Sequence, residues 1–197
     1  MMLLWYLMRS LGFVALLALT GSTALGALAT TGEETPDGLD RRLLRQLAHR
    51  STAVLGLAAL VLHLVAAVAD SYVDVPVVAA LLPFGSGYRP LAMAIGVLGL
   101  YAVVVTALSG WLRGRLAGSA RFARSWRAIH VAAYVGWLLS MAHGLLSGTD
   151  TRTWWGVATY AVCGAAVAGA LLVRAGARLR RVPDARGHLR LSTGGTR

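Results

Sequence analysis

Lysine is absent from this 197-residue chain, cysteine occurs once, and acidic side chains number only 8. A single cysteine, Cys163, excludes an internal disulfide and a cysteine-based zinc site. It lies in an apolar run and reads as a small packing residue. All 19 basic side chains are arginine, a usage that suits a GC-rich bacterial genome, and the formal net charge is +11. Such a charge could serve nucleic acid. The arginines, however, gather at the ends of apolar runs, which is the pattern of charge-directed orientation in a membrane. Nucleic acid is therefore not an expected partner. Also missing are a nucleophile–base arrangement, a pair of carboxylates for acid–base work, and a glycine-rich strand–turn–helix fingerprint for a nucleotide.

What the chain has instead is hydrocarbon: 57% of its residues are hydrophobic. Five stretches contain no Asp, Glu, Lys or Arg, at 10–32, 51–69, 90–112, 128–149 and 153–173. Each approaches or exceeds the roughly 20 residues that a helix needs to cross a bilayer. The runs are continuous, not alternating, so helices and not barrel strands are expected. The expected fold is an all-α integral membrane bundle of about five transmembrane helices. A further uncharged piece at 75–88 is short and interrupted by Pro76 and Pro83, which predicts an interfacial or re-entrant segment. The first run could be a cleaved signal peptide ending near Ala27-Leu28-Ala29. Arg9 makes a poor start for one, and cleavage would leave Arg41, Arg42 and Arg45 outside the cell, so a retained span is expected.

Sixteen arginines fall on the first loop, the third loop and the tail, and only Arg9, Arg89 and Arg152 on the opposite side. The arginine-rich side is expected to be cytoplasmic, with the N-terminus outside, in the plasma membrane of a bacterium. Residues 1–175 read as one membrane domain and 176–197 as a basic, disordered cytoplasmic tail, where His188 is a solvated residue.

Four histidines lie at the ends of two of these runs: His49 and His63 on one, His130 and His143 on the other. An ionisable residue inside a bilayer is costly and marks function by default. The separations, 14 and 13 residues, correspond to about 21 Å and about 20 Å along a helix. Matched separations on neighbouring helices make two levels, His49 with His130 on the inner side and His63 with His143 on the outer. Each level can clamp an iron between two imidazoles, the ligation of a low-spin electron-transfer heme. Small residues near the ligands, such as Gly56, Ala66, Ala133 and Gly136, would leave room for a flat macrocycle. Four ligands spread over about 20 Å cannot meet at one tetrahedral zinc, and no embedded acid accompanies the histidines to make a proton relay. Fourteen residues bring a helix back to within about 40° of one face, but thirteen leave His130 and His143 about 140° apart. A bend near Gly136, or two differently rotated hemes, would resolve this.

Arginine forks suit the heme carboxylates. Arg45, Arg50, Arg124 and Arg127 are candidates at the inner level, and Arg9, Tyr88, Arg89 and Arg152 at the outer. The plain alternative for each is orientation charge or snorkelling to headgroups. Trp154 and Trp155 suit an interfacial belt, and Trp137 falls between the two levels.

These residues resemble the ferric reductase-like transmembrane domain family, which includes the membrane cores of NADPH oxidases. The likeness rests on the H-x13-H and H-x12-H pairs and covers about residues 3–175. It is supported by Leu4-Trp5-Tyr6-Leu7-Met8-Arg9, Asp70-Ser71-Tyr72, Pro83-Phe84, Tyr88-Arg89-Pro90, Trp126-Arg127-Ala128-Ile129-His130 and the run from His143 through Asp150. The flanking motifs are most like those of small actinobacterial members. The resemblance implies two b hemes, the inner held by His49 and His130 and the outer by His63 and His143, with electrons moving outward. Ferric reductases continue into a cytosolic flavin and nicotinamide domain, whereas about 24 residues follow Val173 here. No flavin or nicotinamide site is therefore expected in this chain. The expected partners are membrane lipid, a separate flavoprotein or quinol as donor, and ferric iron or an extracytoplasmic flavin- or metal-bearing protein as acceptor. The contrasting reading is a non-redox membrane anchor or assembly subunit whose histidines are structural.

Overall fold

Helices form where the charge-free runs lie. The computed structural model describes residues 2–29, 31, 36–71, 75–115 and 120–180, with backbone alone at 36, 37, 114, 115 and 120–124. Glu33, Glu34, Tyr72, Asp74, the side chain of Arg124 and the tail from 181, including His188, lie outside the described residues. The elements are α1 (Met2–Leu28), α2 (Pro36–Ala69), α3 (Val77–Leu81), α4 (Pro90–Arg115), α5 (Ala120–His130), α6 (Ala132–Ser147) and α7 (Trp154–Arg180), with a 3-10 turn at Asp150–Arg152. Among the described residues five segments are long and apolar enough to cross a membrane: α1, most of α2, α4, α5 with α6, and α7. The molecule is an all-α membrane bundle.

Two antiparallel hairpins form its body. In the first, α1 packs on α2 so closely that a Cβ at Gly56 would lie 2.8 Å from the Leu19 side chain. In the second, α4 packs on α6, where a Cβ at Gly136 would lie 3.1 Å from Val103 and 3.2 Å from Ala102. Small side chains make both approaches, as helix association in lipid requires: Ala15, Ala18, Ala59, Ala66, Ala92 and Ala94 are buried. Large ones, such as Leu55, Val61, Leu62 and Val65 of α2 and Leu172 of α7, point outward. In water that surface would oppose folding; in hydrocarbon it matches the solvent.

The first run is a working part of the bundle. Its Leu16 joins Tyr160 and Cys163 of α7 in a core cluster, with Phe13, Trp137 and Met141 packed against it. Cys163 is a buried free cysteine, the packing role expected of it. Trp137 Nε1 donates to Thr20 Oγ1 at 2.9 Å, joining α6 to α1.

The 75–88 piece is a five-residue helix, about 7.5 Å long at 1.5 Å per residue and far too short to span. Val75 and Ala79 are buried against the bundle, and the Tyr101 hydroxyl donates to the Leu81 carbonyl. The chain returns to α4 through two non-glycine residues in left-handed conformation, Phe84 (φ 63°) and Arg89 (φ 40°).

The fourth run does break, but at Val131 and not near Gly136. The Val131 N–H reaches Arg127 O at 3.3 Å, and Tyr134 N–H closes a tighter bond to Val131 O at 3.0 Å. Gly136 is instead the point where α6 meets α4. The tightened turn sits directly after His130, so it changes the angular phase between His130 and His143.

At the N-terminal end, Arg9 of α1 pairs with Asp150 of the 3-10 turn, with Nε donating to Oδ2 at 2.9 Å. The guanidinium also lies 4.0 Å from the centre of the Trp5 ring. This pair fastens α1 to the α6–α7 connection. Asp150→Ala leaves a part-buried arginine without its partner, and its expected cost is about 1–3 kcal/mol, below that of a wholly buried pair because the two side chains keep 21% and 13% exposure. Unfolding in mixed detergent measures it, and the double variant Arg9→Ala/Asp150→Ala is expected to recover part of the loss.

Candidate functional site

Each of the four membrane histidines is gripped the same way. His63 Nδ1 lies 2.8 Å from Met8 O, His49 Nδ1 2.8 Å from Ser22 O, and His143 Nδ1 2.8 Å from Ala92 O. A carbonyl can only accept, so in each ring Nδ1 carries the proton and donates it. His130 does this through a hydroxyl: its Nδ1 is 3.1 Å from Ser109 Oγ, and Ser109 Oγ donates to Thr106 O at 2.7 Å. Since the hydroxyl proton is spent on Thr106, the serine accepts from His130. The assigned tautomer is thus the same in all four, and it leaves Nε2 as the free lone pair.

A glycine one turn after each acceptor makes room for the ring. A Cβ at Gly12 would lie 3.2 Å from His63 Nδ1, at Gly26 3.1 Å from His49 Cε1, at Gly96 2.6 Å from His143 Nδ1, and at Gly110 3.6 Å from His130 Cε1. The carbonyls of Met8, Ser22 and Ala92, and that of Thr106 which is reached through Ser109, each precede their glycine by four residues. Gly12 and Gly26 are 14 apart, as are Gly96 and Gly110, matching the 14 of His49 and His63. The two hairpins therefore carry one design, offset by 84 residues on the glycine helices. The loosest contact, at Gly110, is the one where Ser109 is interposed.

The pairs fall together as the spacing suggests. The His49 and His130 rings have centroids 6.3 Å apart with planes at 73°. Two imidazoles holding one metal ion between them, at about 2.0–2.1 Å from nitrogen to metal, put their ring centres about 6.3–6.5 Å apart. His63 and His143 line one cavity of about 210 Å³, together with Gly12, Gly96, Leu16 and Trp137. Ser147 Oγ is 3.5 Å from His143 Nε2 but donates to His143 O at 2.6 Å, so it leaves that nitrogen without a strong partner. No hydrogen bond is made to Nε2 of His49, His63 or His130 among the described residues. Nowhere among them do three or more His, Cys, Asp or Glu converge on a point that could hold a metal ion. The donors come two by two, which suits a group that brings its own in-plane ligands and not a tetrahedral ion.

The arginines divide by role. Arg9, with Asp150, lines the cavity of His63 and His143, as does Tyr88. Arg89 donates to Leu146 O at 2.6 Å and lies over the Tyr88 ring, so it braces the α6 end. Arg45 donates to Thr31 O at 2.9 Å and Leu28 O at 3.3 Å, capping the last turn of α1. Arg50, Arg127 and Arg152 are exposed. Beside the inner pair stands Trp126, whose ring stacks on His130 at 4.9 Å and 28°. Sequence reasoning missed the four acceptors and their glycines. The equal 14-residue spacing of the glycines was the available signal.

Gly96→Ala would drive a methyl into the His143 ring, and it is expected to destabilise the protein by about 1–3 kcal/mol. Gly110→Ala meets only ordinary contact and is expected to be neutral or slightly stabilising, by up to about 1 kcal/mol from helix propensity. Denaturation in detergent compares the two. Comparison with family models, curated proteins and solved structures finds no significant match to this chain.

Proposed function

We propose that this chain is a membrane diheme b-type cytochrome that moves electrons across the bilayer, from a cytoplasmic-side flavoprotein or quinol to an extracytoplasmic acceptor such as ferric iron or a partner redox protein. The observation that carries the reading is the common state of the four histidines: Nδ1–H spent on a neighbouring helix, Nε2 without a strong partner among the described residues, two of the rings 6.3 Å apart and the other two lining one cavity. Metal-binding histidines are oriented in this way by a second hydrogen bond, which fixes the tautomer and raises the basicity of the ligating nitrogen. A histidine retained for packing alone has no need to keep its second nitrogen open.

When bound, heme supplies a one-electron iron couple at each level. The chain's own work is then positional. His49 and His130 hold one level, and His63 and His143 the other. The glycines admit the rings, and the outward leucines and valines keep water from the sites. The arginine-rich end faces the cytoplasm by the charge rule, so electrons enter at His49 and His130 and leave near Arg9, Arg89 and the 70–89 connection.

A pyridine hemochrome assay on detergent-purified protein is expected to give a ratio near two hemes per chain, falling toward one in His63→Ala. A ratio near zero for folded wild type would leave the anchor or assembly reading. Ser109→Ala removes the hydroxyl that accepts from His130. It is expected to weaken heme retention at one level by about 10–100-fold, read by transfer of heme to an apo-protein trap.

A further inference from the structure

Trp126 and Arg113 form a small cluster beside His130. The indole sits one turn before His130 on α5 and stacks on its ring, with centroids 4.9 Å apart. The Arg113 guanidinium, from the end of α4, lies over the indole at 3.9 Å. The indole Nε1–H is buried and has no hydrogen-bond partner among the described residues. Its two neighbours do not supply one. A guanidinium has donors only, the His130 Nδ1–H is spent on Ser109, and the His130 Nε2 lone pair makes no bond to the indole on whose face the ring stacks. A buried donor left among donors is disfavoured unless an acceptor arrives from elsewhere. Beside a fixed cation, the fitting acceptor is an anion.

We propose that the Trp126 indole N–H, with Arg113 held against the same ring, binds a carboxylate of the cofactor gripped by His49 and His130, and so positions that cofactor and sets its potential. This rests on the diheme reading. It moves the inner carboxylate site away from the exposed Arg50 and Arg127 to a donor within the bundle. The indole does two jobs at once: its face orients His130 and its edge receives the acid group. An N–H donated to the carboxylate offsets negative charge near the iron. Without it that charge favours the ferric state, so the potential falls.

The test is Trp126→Phe, which keeps an aromatic face for His130 and deletes the donor. Heme content is measured first, and a potentiometric titration follows. The expected result is about two hemes per chain, with one midpoint potential lowered and the other unchanged. Should the variant lose heme, resonance Raman on wild type decides the matter: the propionate bending bands of one heme are expected to shift in D2O, and unshifted bands overturn the proposal. Two hemes with both potentials unchanged overturn it while leaving the diheme reading intact. Unchanged potentials with loss of co-purifying anionic lipid would assign the N–H to a headgroup phosphate, and equally overturn it. Wild type without heme overturns both.

Discussion

A hydrogen bond from a histidine Nδ1 to a carbonyl on the next helix is the contact on which the bundle's interior depends. A helix carbonyl already accepts from the N–H four residues on, and it can take a second donor only where the partner ring comes close. A Cβ one turn along then crowds the ring, outright at Gly96 and by a few tenths of an ångström at Gly12 and Gly26. Three such contacts, with the His130–Ser109 bond as a fourth, fix the azimuth of α1 against α2 and of α4 against α5 and α6. In lipid, where apolar packing gives little preference for one rotation over another, a polar contact of this kind selects one.

The same geometry places polar groups economically. An imidazole needs a partner for each nitrogen when buried. Backbone satisfies one nitrogen in three cases and Ser109 in the fourth, so the second nitrogen of each ring is left open among the described residues. At one level the paired rings stand 6.3 Å apart, and at the other they line one cavity. The Arg9–Asp150 pair and Arg45 work differently. They tie the ends of α1, one by charge and one by capping, and leave the middle of the helix to small side chains and the ring contacts.

Much of this was legible in the sequence. Charge-free runs gave the five long helices, and the proline-interrupted 75–88 piece read correctly as too short to span. Matched spacing along two helices also anticipated that His49 stands beside His130 and that His63 and His143 line one cavity. The bend was misplaced because glycine is a general breaker signal, while Gly136 is required for close approach to Val103. The true break at Val131 follows from the tightened turn that ends α5, which no residue type announces. The arginines were hardest. A long flexible side chain reaches many acceptors, and only the fold shows that Arg45 caps α1 or that Arg89 braces Leu146.

The division of the four acceptors into three carbonyls and one hydroxyl has a consequence for how such a molecule can vary. A carbonyl belongs to every residue, so substitution at Met8 or Ala92 leaves the acceptor in place. At Ser22 the carbonyl also stays, but the hydroxyl 3.0 Å from His49 Nδ1 is lost. At His130 the accepting atom itself, the Ser109 hydroxyl, is a side chain. Of the four histidines it is therefore the one whose basicity a single substitution adjusts most, and whatever depends on that basicity varies most easily there.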